Sequence, residues 1–202
     1  MNPYVQFGLA MCLVVGIALG RTAWLAAIFN RKAKQDMQAR LDPIAAVISG
    51  KADVEEAQVT GRYGDAIAIG RAANAPGGFG RLFHAELVDS AGGSRWEWSS
   101  LPVKGEPEPK RTFEGDPALE DRLGLDWDAL AAVVPDVKNQ RWGWIYDPDA
   151  GMVRLTREMR GRNDIPDPAQ FTAQLAALQR IGEANRRAQT EGAAQAAASG
   201  EA

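Results

Sequence analysis

Four of the six tryptophans in this 202-residue sequence repeat one short pattern. Residues 95–98 and residues 141–144 both have the form R-W-x-W, and a tyrosine follows the second copy two residues later. Because alternate residues of a β-strand point to the same face, each copy places its aromatic rings on one side of its strand. If the two strands share a sheet, the rings form a single aromatic face. Its members are Trp96, Trp98, Trp142, Trp144 and Tyr146.

An aromatic sheet face of this kind has two interpretations. Exposed rings would form a platform on which sugars or single-stranded nucleic acid stack. Covered rings would instead form the core of the domain, packed beneath the apolar stripe of the last helix. We favour the core, because the sequence supplies few other large side chains, and keep the platform as the alternative binding face.

Residues that carry acid–base or nucleophilic chemistry are scarce. His84 is the only histidine, and in a strand it shares a face with Glu86. Such a pair can transfer protons, but no nucleophile or orienting partner accompanies it, so a structural histidine is the better interpretation. Cys12 is the only cysteine, which excludes an intramolecular disulfide and a cysteine-based zinc site. We therefore predict no catalytic residue and a protein that is not an enzyme.

Two loops resemble ligand-binding loops in composition alone. Residues 75–81 are rich in glycine, but a phosphate-binding loop ends in a Lys-Ser/Thr pair and leads into a helix, whereas Arg81 opens a predicted strand. Asp147 and Asp149 are spaced like the start of a calcium loop, but the later acidic ligands do not follow. The sequence thus predicts no cofactor and no metal.

The first thirty residues have the composition of a membrane anchor. No side chain from residue 1 to residue 20 is charged, and a second apolar run covers residues 24–29. Spanning a bilayer takes roughly 20 helical residues. We therefore predict a transmembrane anchor in residues 1–30, with Arg21 away from the bilayer centre. A cleaved signal peptide is the alternative, but the positively charged start that it requires is absent.

Small side chains recur every four residues within this anchor. On a helix they form one smooth stripe, which lets a second helix approach closely in lipid. The stripe predicts docking against a copy of the same helix or against another membrane protein. It consists of Gly8, Cys12, Gly16 and Gly20.

Basic residues follow the apolar run, and none precedes it. The positive-inside rule therefore places the C-terminal domain in the cytoplasm of a bacterial cell, beneath the plasma (inner) membrane. A periplasmic or exported domain is the alternative. The cations also suit contact with membrane lipids, whereas a net charge of -3 argues against nucleic acid as a partner. These cations are Arg21, Arg31, Lys32, Lys34 and Arg40.

The remainder of the chain predicts an α+β domain built on an antiparallel sheet. Alternating apolar residues and turn residues indicate three hairpins, and two or three helices pack on them. The proline-rich residues 102–111 are predicted to be a loop or linker. The hairpins pair residues 54–63 with 66–72, residues 82–88 with 95–101, and residues 142–146 with 152–157.

Aspartate and proline mark the predicted helix starts. Asp42-Pro43, Asp116-Pro117, Asp126 and Asp167-Pro168 each combine a helix-capping side chain with a following helical pattern. The chain is thus divided into a juxtamembrane helical segment (31–50), a soluble domain (51–188) and a disordered tail (189–202). In the last helix, the residues predicted to share one apolar face are Phe171, Leu175, Leu178 and Ile181.

These features favour a non-enzymatic accessory or scaffold subunit that docks through its transmembrane helix and its cytoplasmic domain. Its expected partners are membrane lipids together with another membrane protein or a second copy of the chain. The alternative is a membrane-tethered module that binds a ligand with the aromatic face or the glycine-rich loop. An enzyme is the least favoured function.

Overall fold

A computed structural model describes residues 3–78, 80–89, 92–135, 139–161 and 164–200. The chain divides into two units, the first ending at Ala39 and the second beginning at Arg40. The second unit confirms the predicted α+β class, with an antiparallel sheet and a few helices. The elements are α1 (Pro3–Val47), β1 (Lys51–Asp53), β2 (Gln58–Tyr63), β3 (Ala66–Asn74), β4 (Arg81–Val88), β5 (Trp96–Leu101), β6 (Lys110–Glu114), α2 (Pro117–Leu123), α3 (Trp127–Ala131), β7 (Trp142–Asp147), β8 (Met152–Met159) and α4 (Pro168–Gly200).

Helix α1 is, among the described residues, the one helix long and apolar enough to cross a membrane. Its apolar side chains from Met11 to Phe29 are exposed, and Leu13 and Val14 retain 59% and 62% of their accessible surface. None of the most apolar stretch is buried by the rest of the protein. The predicted anchor is therefore a continuous helix whose apolar surface lacks an intramolecular cover.

The same helix continues through Pro43, where the sequence had predicted a new helix start. That prediction was wrong. Proline removes one backbone donor, here the partner of the Ala39 carbonyl, at a cost of about 3 kcal/mol. Leu41 and Ile44 flank the proline and are fully buried, and each such burial contributes about 1.5–3 kcal/mol. Burial on both sides of Pro43 thus offsets the lost hydrogen bond.

The eight strands form one antiparallel sheet in the order β1-β2-β3-β4-β8-β7-β5-β6. Two of the predicted hairpins are confirmed, β2–β3 around Gly64-Asp65 and β7–β8 around residues 148–151. The third is wrong, because β4 pairs with β8 and β5 pairs with β7. The hairpin β7–β8 thus lies between the two strands that the sequence had paired.

The connection from β4 to β5 is held where it passes the turn of β7–β8. Asp89 donates its backbone N–H to the Gly151 carbonyl (2.7 Å), and the Tyr146 hydroxyl donates to the Gly92 carbonyl (2.9 Å). Insertion of the hairpin brings Trp144 beside Trp98 in register. Burial of these large rings, which depends on residues far apart in sequence, outweighs the local preference for a simple hairpin.

Two edge strands escaped prediction. β1 has only three residues, and β6 lies partly in the segment predicted as a loop because of its prolines and charges. Short, charged strands are typical of sheet edges, where they discourage unwanted pairing. Their alternation is therefore too short and too polar to identify from sequence.

The helices cover one face of the sheet. The predicted caps are confirmed at α2, where the Asp116 side chain accepts from the Ala118 N–H (3.0 Å), and at α3, where Asp126 accepts from the Ala129 N–H (3.0 Å). Phe171 of α4 packs edge-on against Phe83 of β4, with ring centroids 6.2 Å apart. All four residues of its predicted apolar face, Phe171, Leu175, Leu178 and Ile181, are fully buried.

Helix α4 runs to Gly200, beyond residue 189, where the sequence predicted a disordered tail. Its last residues are rich in alanine, which has the highest intrinsic helix propensity. Low hydrophobicity therefore indicated the absence of a core there, but not the absence of helix.

Candidate functional site

The predicted aromatic face exists, but it is buried. The two R-W-x-W strands are neighbours, with Trp96 opposite Tyr146 and Trp98 opposite Trp144. None of the five rings exposes more than 3% of its surface, so the face is core and the platform for ligand stacking is not available. The buried rings are those of Trp96, Trp98, Trp142, Trp144 and Tyr146.

The cover over these rings comes from two helices. Trp127 of α3 stacks on Trp98, with centroids 5.2 Å apart and planes at 14°. Asn185 of α4 accepts a hydrogen bond from the Trp96 indole N–H (2.9 Å). The sequence predicted cover by α4 and missed Trp127, whose position after the Asp126 cap was the available signal.

The opposite face of the sheet carries a polar trough. Its floor is a row of residues facing one another on four adjacent strands, and it lies within a cavity of about 450 Å³. Ala75 and Pro76, from the glycine-rich loop, also line this cavity. We call this cavity the polar trough. Its floor consists of His84 (β4), Thr156 (β8), Gly143 (β7) and Ser99 (β5).

Gly143 makes the depression in the middle of the trough. A Cβ atom at this position would lie 2.8 Å from the Trp98 carbonyl oxygen and 3.3 Å from the Ser99 Cα. Only glycine fits so close an approach of backbone to backbone. The glycine of the second R-W-x-W motif therefore serves the pairing of β7 with β5, and it leaves a gap between the hydroxyls of Thr156 and Ser99.

Charged side chains of both signs line the trough. Glu97 lies on one side of the floor, and the cross-strand pair Glu158 and Arg141 lies on the other. In the described part of the chain, none of these three side chains has an ion pair or hydrogen bond. The trough thus offers two carboxylates and a guanidinium that form no ion pair among the described residues.

Beside the His84 end of the trough, a buried acidic group is held by two arginines, one of which, Arg154, lines the trough. Glu86, with 3% of its side chain exposed, pairs with Arg71 (2.9 Å) and Arg154 (2.7 Å) through the same oxygen, Oε1. Two cations around one carboxylate leave a local excess of positive charge. This excess adjoins His84, which lies directly between Arg71 and Thr156 in the sheet register.

His84 is kept neutral by this environment. Burial is the largest cause and acts together with the charges of Arg154 and Arg71 to lower the pKa of His84 from 6.5 to about 4. Its Nδ1 is 3.0 Å from the Thr156 Oγ1. The His84–Glu86 pair, which the sequence offered as the less favoured interpretation, forms no hydrogen bond among the described residues, and Glu86 pairs with the two arginines instead.

The histidine and threonine have the spacing of a base and a nucleophile, but they lack what such a pair requires. An activated hydroxyl needs a base whose pKa lies near the working pH and a third group that orients it. His84 has a low pKa. Glu86, the nearest acidic residue along its strand face, already pairs with Arg71 and Arg154 and does not orient the histidine. The arrangement suits hydrogen bonding to a bound polar group better than proton transfer.

The other two candidate sites have structural roles. Asp147 accepts backbone N–H bonds from Asp149 (3.1 Å) and Ala150 (3.2 Å), which builds the β7–β8 turn. The glycine-rich loop closes a β3–β4 hairpin, with the Ala75 N–H donating to the Gly80 carbonyl (3.1 Å). No group of metal-ligating side chains occurs among the residues that the structure describes.

The membrane-related residues lie on α1. A Cβ at Gly8, Gly16 or Gly20 would meet nothing within 4 Å, and Cys12 is exposed, so the small-residue stripe is uncovered by the protein itself. The predicted cations Arg21, Arg31, Lys32 and Lys34 are exposed, and Arg40 is half-buried.

Comparison of the chain with protein-family models, with curated proteins and with solved structures finds no match.

Proposed function

We propose that this protein is a single-pass membrane protein that acts as a non-enzymatic accessory or scaffold subunit. The observation that carries the proposal is the exposed apolar surface of α1. Leaving such a surface in water costs about 25 cal/mol for each Å². A bilayer removes that cost, and the helix is long enough to cross one.

The charges that follow the apolar run support one orientation. Exposed Arg31, Lys32 and Lys34 succeed it, whereas no cation precedes it. The positive-inside rule then favours a cytoplasmic domain at the plasma membrane, with the basic residues near lipid headgroups.

Docking by the small-residue stripe is the second part of this proposal. Glycines let helix backbones approach closely, and van der Waals packing then holds the helices together in lipid. The partner is a second membrane helix, in another protein or in a copy of this one. The side chains of the trough support a non-catalytic role for the domain, because its histidine, His84, has a pKa too low for an effective base.

Membrane extraction tests the anchor. We expect the full chain to stay in membranes washed with alkaline carbonate, and a reporter fused at the C-terminus to signal the cytoplasm. Replacing Val14 and Ile17 with arginine should release the protein, because each central arginine costs about 2.5–3.5 kcal/mol. Replacing both residues with leucine is the matched control. Recovery of the unmodified chain in the soluble fraction would contradict the proposal.

Native-size analysis in mild detergent tests the subunit role. We expect the intact chain to migrate with a partner, and substitution of Gly16 and Gly20 with leucine to dissociate it. The equivalent change at Ala18, which 3.6 residues per turn place on a different face of α1 from the stripe, is the control. A lone monomer, unaffected by either change, would exclude helix docking.

The polar trough favours a second candidate function, a membrane-tethered ligand-binding module. Its volume suits a small molecule, and unpaired Glu97 and Arg141 suit a ligand that carries both a cationic and an anionic group. Thermal-shift measurements with zwitterionic amino acids and their singly charged analogues test this function. We expect stabilisation by zwitterions alone, lost in Glu97→Gln and Arg141→Gln and retained in Glu191→Gln. The same response to every compound would count against it.

A further inference from the structure

The outer edge of β6 is an open sheet edge. β6 pairs with β5 and closes the strand order, and within the described residues no other strand pairs with it. An edge of this kind presents unpaired backbone N–H and C=O groups, which a strand from another chain can pair with. The side chains of β6 determine which strand can pair with this edge.

The sequence of β6 is complementary to itself when read in the opposite direction. If two copies align antiparallel with Thr112 facing Thr112, then Lys110 faces Glu114 and Arg111 faces Phe113. Opposite-charge and Thr–Thr pairs are favourable across antiparallel strands, and an arginine beside an aromatic ring gains a cation–π interaction. A parallel alignment would set Lys110 against Lys110 and Glu114 against Glu114.

The side chains that this alignment uses are exposed or half-buried, and two of them already have partners. Arg111 pairs with Asp128 (2.6 Å), and the Thr112 hydroxyl lies 2.9 Å from the Ser99 hydroxyl. Lys110 and Glu114 are exposed, and neither has an ion-pair partner among the described residues. Phe113 is half-buried and already aligned by its stacking on Trp96, with centroids 6.0 Å apart.

Glu114 also has a local reason to accept a cation. It lies directly opposite Glu97 in the β5–β6 register, and like charges in that arrangement repel. A lysine placed on the other side of Glu114 would offset this repulsion. We propose that two copies of the chain pair through their β6 edges, in antiparallel register about Thr112, and so join their two sheets.

Site-specific cross-linking tests the pairing in the full chain. In a Cys12→Ser background, Thr112→Cys places one thiol at the two-fold axis of the proposed dimer. With a short bis-maleimide in detergent, we expect a cross-linked dimer. Lys51→Cys, on the exposed opposite edge strand β1, is the matched control and should give little cross-linked dimer. Equal cross-linking at the two edges would overturn the proposal.

Charge reversal tests the register. Lys110→Glu alone, or Glu114→Lys alone, converts two attractive pairs in each dimer into repulsive ones and should reduce the Thr112→Cys cross-link about tenfold. The double variant Lys110→Glu/Glu114→Lys restores both pairs and should restore the cross-link. Both residues are exposed, and circular dichroism checks that each variant folds.

The same experiment separates this contact from association of α1 helices. Substitution of Gly16 and Gly20 with leucine should leave the Thr112→Cys cross-link intact. A cross-link that is lost with those glycines, or a double charge variant as weak as the single ones, would refute pairing through β6.

Discussion

The lowered pKa of His84 makes the free energy of unfolding depend on pH, and this dependence can be assigned to one residue. Its pKa is about 4 in the folded protein and 6.5 in the unfolded chain. The unfolded chain therefore binds more protons between these values, so stability is full above pH 6.5 and falls as the pH falls toward 4.

We expect the free energy of unfolding, measured with urea by tryptophan fluorescence, to drop by about 2–3 kcal/mol between pH 7 and pH 4.5. Because His84 is the only histidine, His84→Gln should remove most of this slope. An equal drop in His84→Gln would assign the effect to the carboxylates instead.

Arg157 is a buried cation that forms an ion pair with Asp164, and the stability of the fold depends on this pair. It is fully buried, pairs with Asp164 (3.0 Å), donates to the Asp164 carbonyl (2.6 Å), and lies 5.5 Å from the centre of the Phe83 ring. Burial lowers the pKa of Arg157, and the charge of Asp164 opposes that shift. Removing the carboxylate would take away the negative charge that pairs with this buried guanidinium, leaving only backbone carbonyls and the Phe83 ring beside it.

We expect Asp164→Ala to cost about 3 kcal/mol of unfolding free energy. The double variant Arg157→Met/Asp164→Ala should recover part of that loss, since it removes the charge as well. Asp121→Ala, an exposed aspartate of α2, is the control. Chemical denaturation of the unmodified protein, the single variants Asp164→Ala and Arg157→Met, and the double variant gives the coupling energy. A value near zero would mean that the ion pair does not stabilise the fold.

At the scale of elements, the turn after α1 passes β2 at a contact that only two glycines permit. A Cβ at Gly50 would overlap the Thr60 carbonyl, and a Cβ at Gly61 would lie 2.7 Å from the Gly50 Cα. The Arg62 N–H donates to the Ile48 carbonyl (2.7 Å) at the same place. The backbones are therefore in direct contact, and neither can move without breaking this bond.

We expect Gly61→Ala to destabilise the domain by about 2–3 kcal/mol, because an added methyl group forces the two backbones apart. Gly161→Ala is the matched control, since its Cβ would meet nothing within 4 Å. Thermal unfolding followed by circular dichroism compares the two. A similar midpoint for both variants would show that the crossing is more tolerant than its geometry indicates.

At the scale of the whole molecule, the division after Ala39 predicts that the second unit folds without residues 1–39. All the strands and the helices α2 to α4 belong to the unit that begins at Arg40. A fragment of residues 40–202 should therefore be soluble and unfold cooperatively, with the midpoint of the full chain in detergent. Aggregation, or loss of cooperative unfolding, would show that residues before Arg40 contribute to the core.

The sequence by itself determined the features that depend on neighbouring residues. The uncharged N-terminal run is a matter of local composition. Local hydrogen bonding determines the Asp116 and Asp126 caps and the turn at Gly64-Asp65, and backbone periodicity determines the shared face of each R-W-x-W motif. These properties need only a few consecutive residues, so they can be read without knowing the fold.

Only the tertiary structure decided the order of the strands and the site that this order creates. Residues from β4, β8, β7 and β5 form the floor of the polar trough, yet they are spread from His84 to Thr156 in the sequence. Their juxtaposition depends on insertion of the β7–β8 hairpin, which is favoured by burial of the aromatic face on the other side of the sheet. Such burial sums many contacts distant in sequence, and no local pattern records that sum.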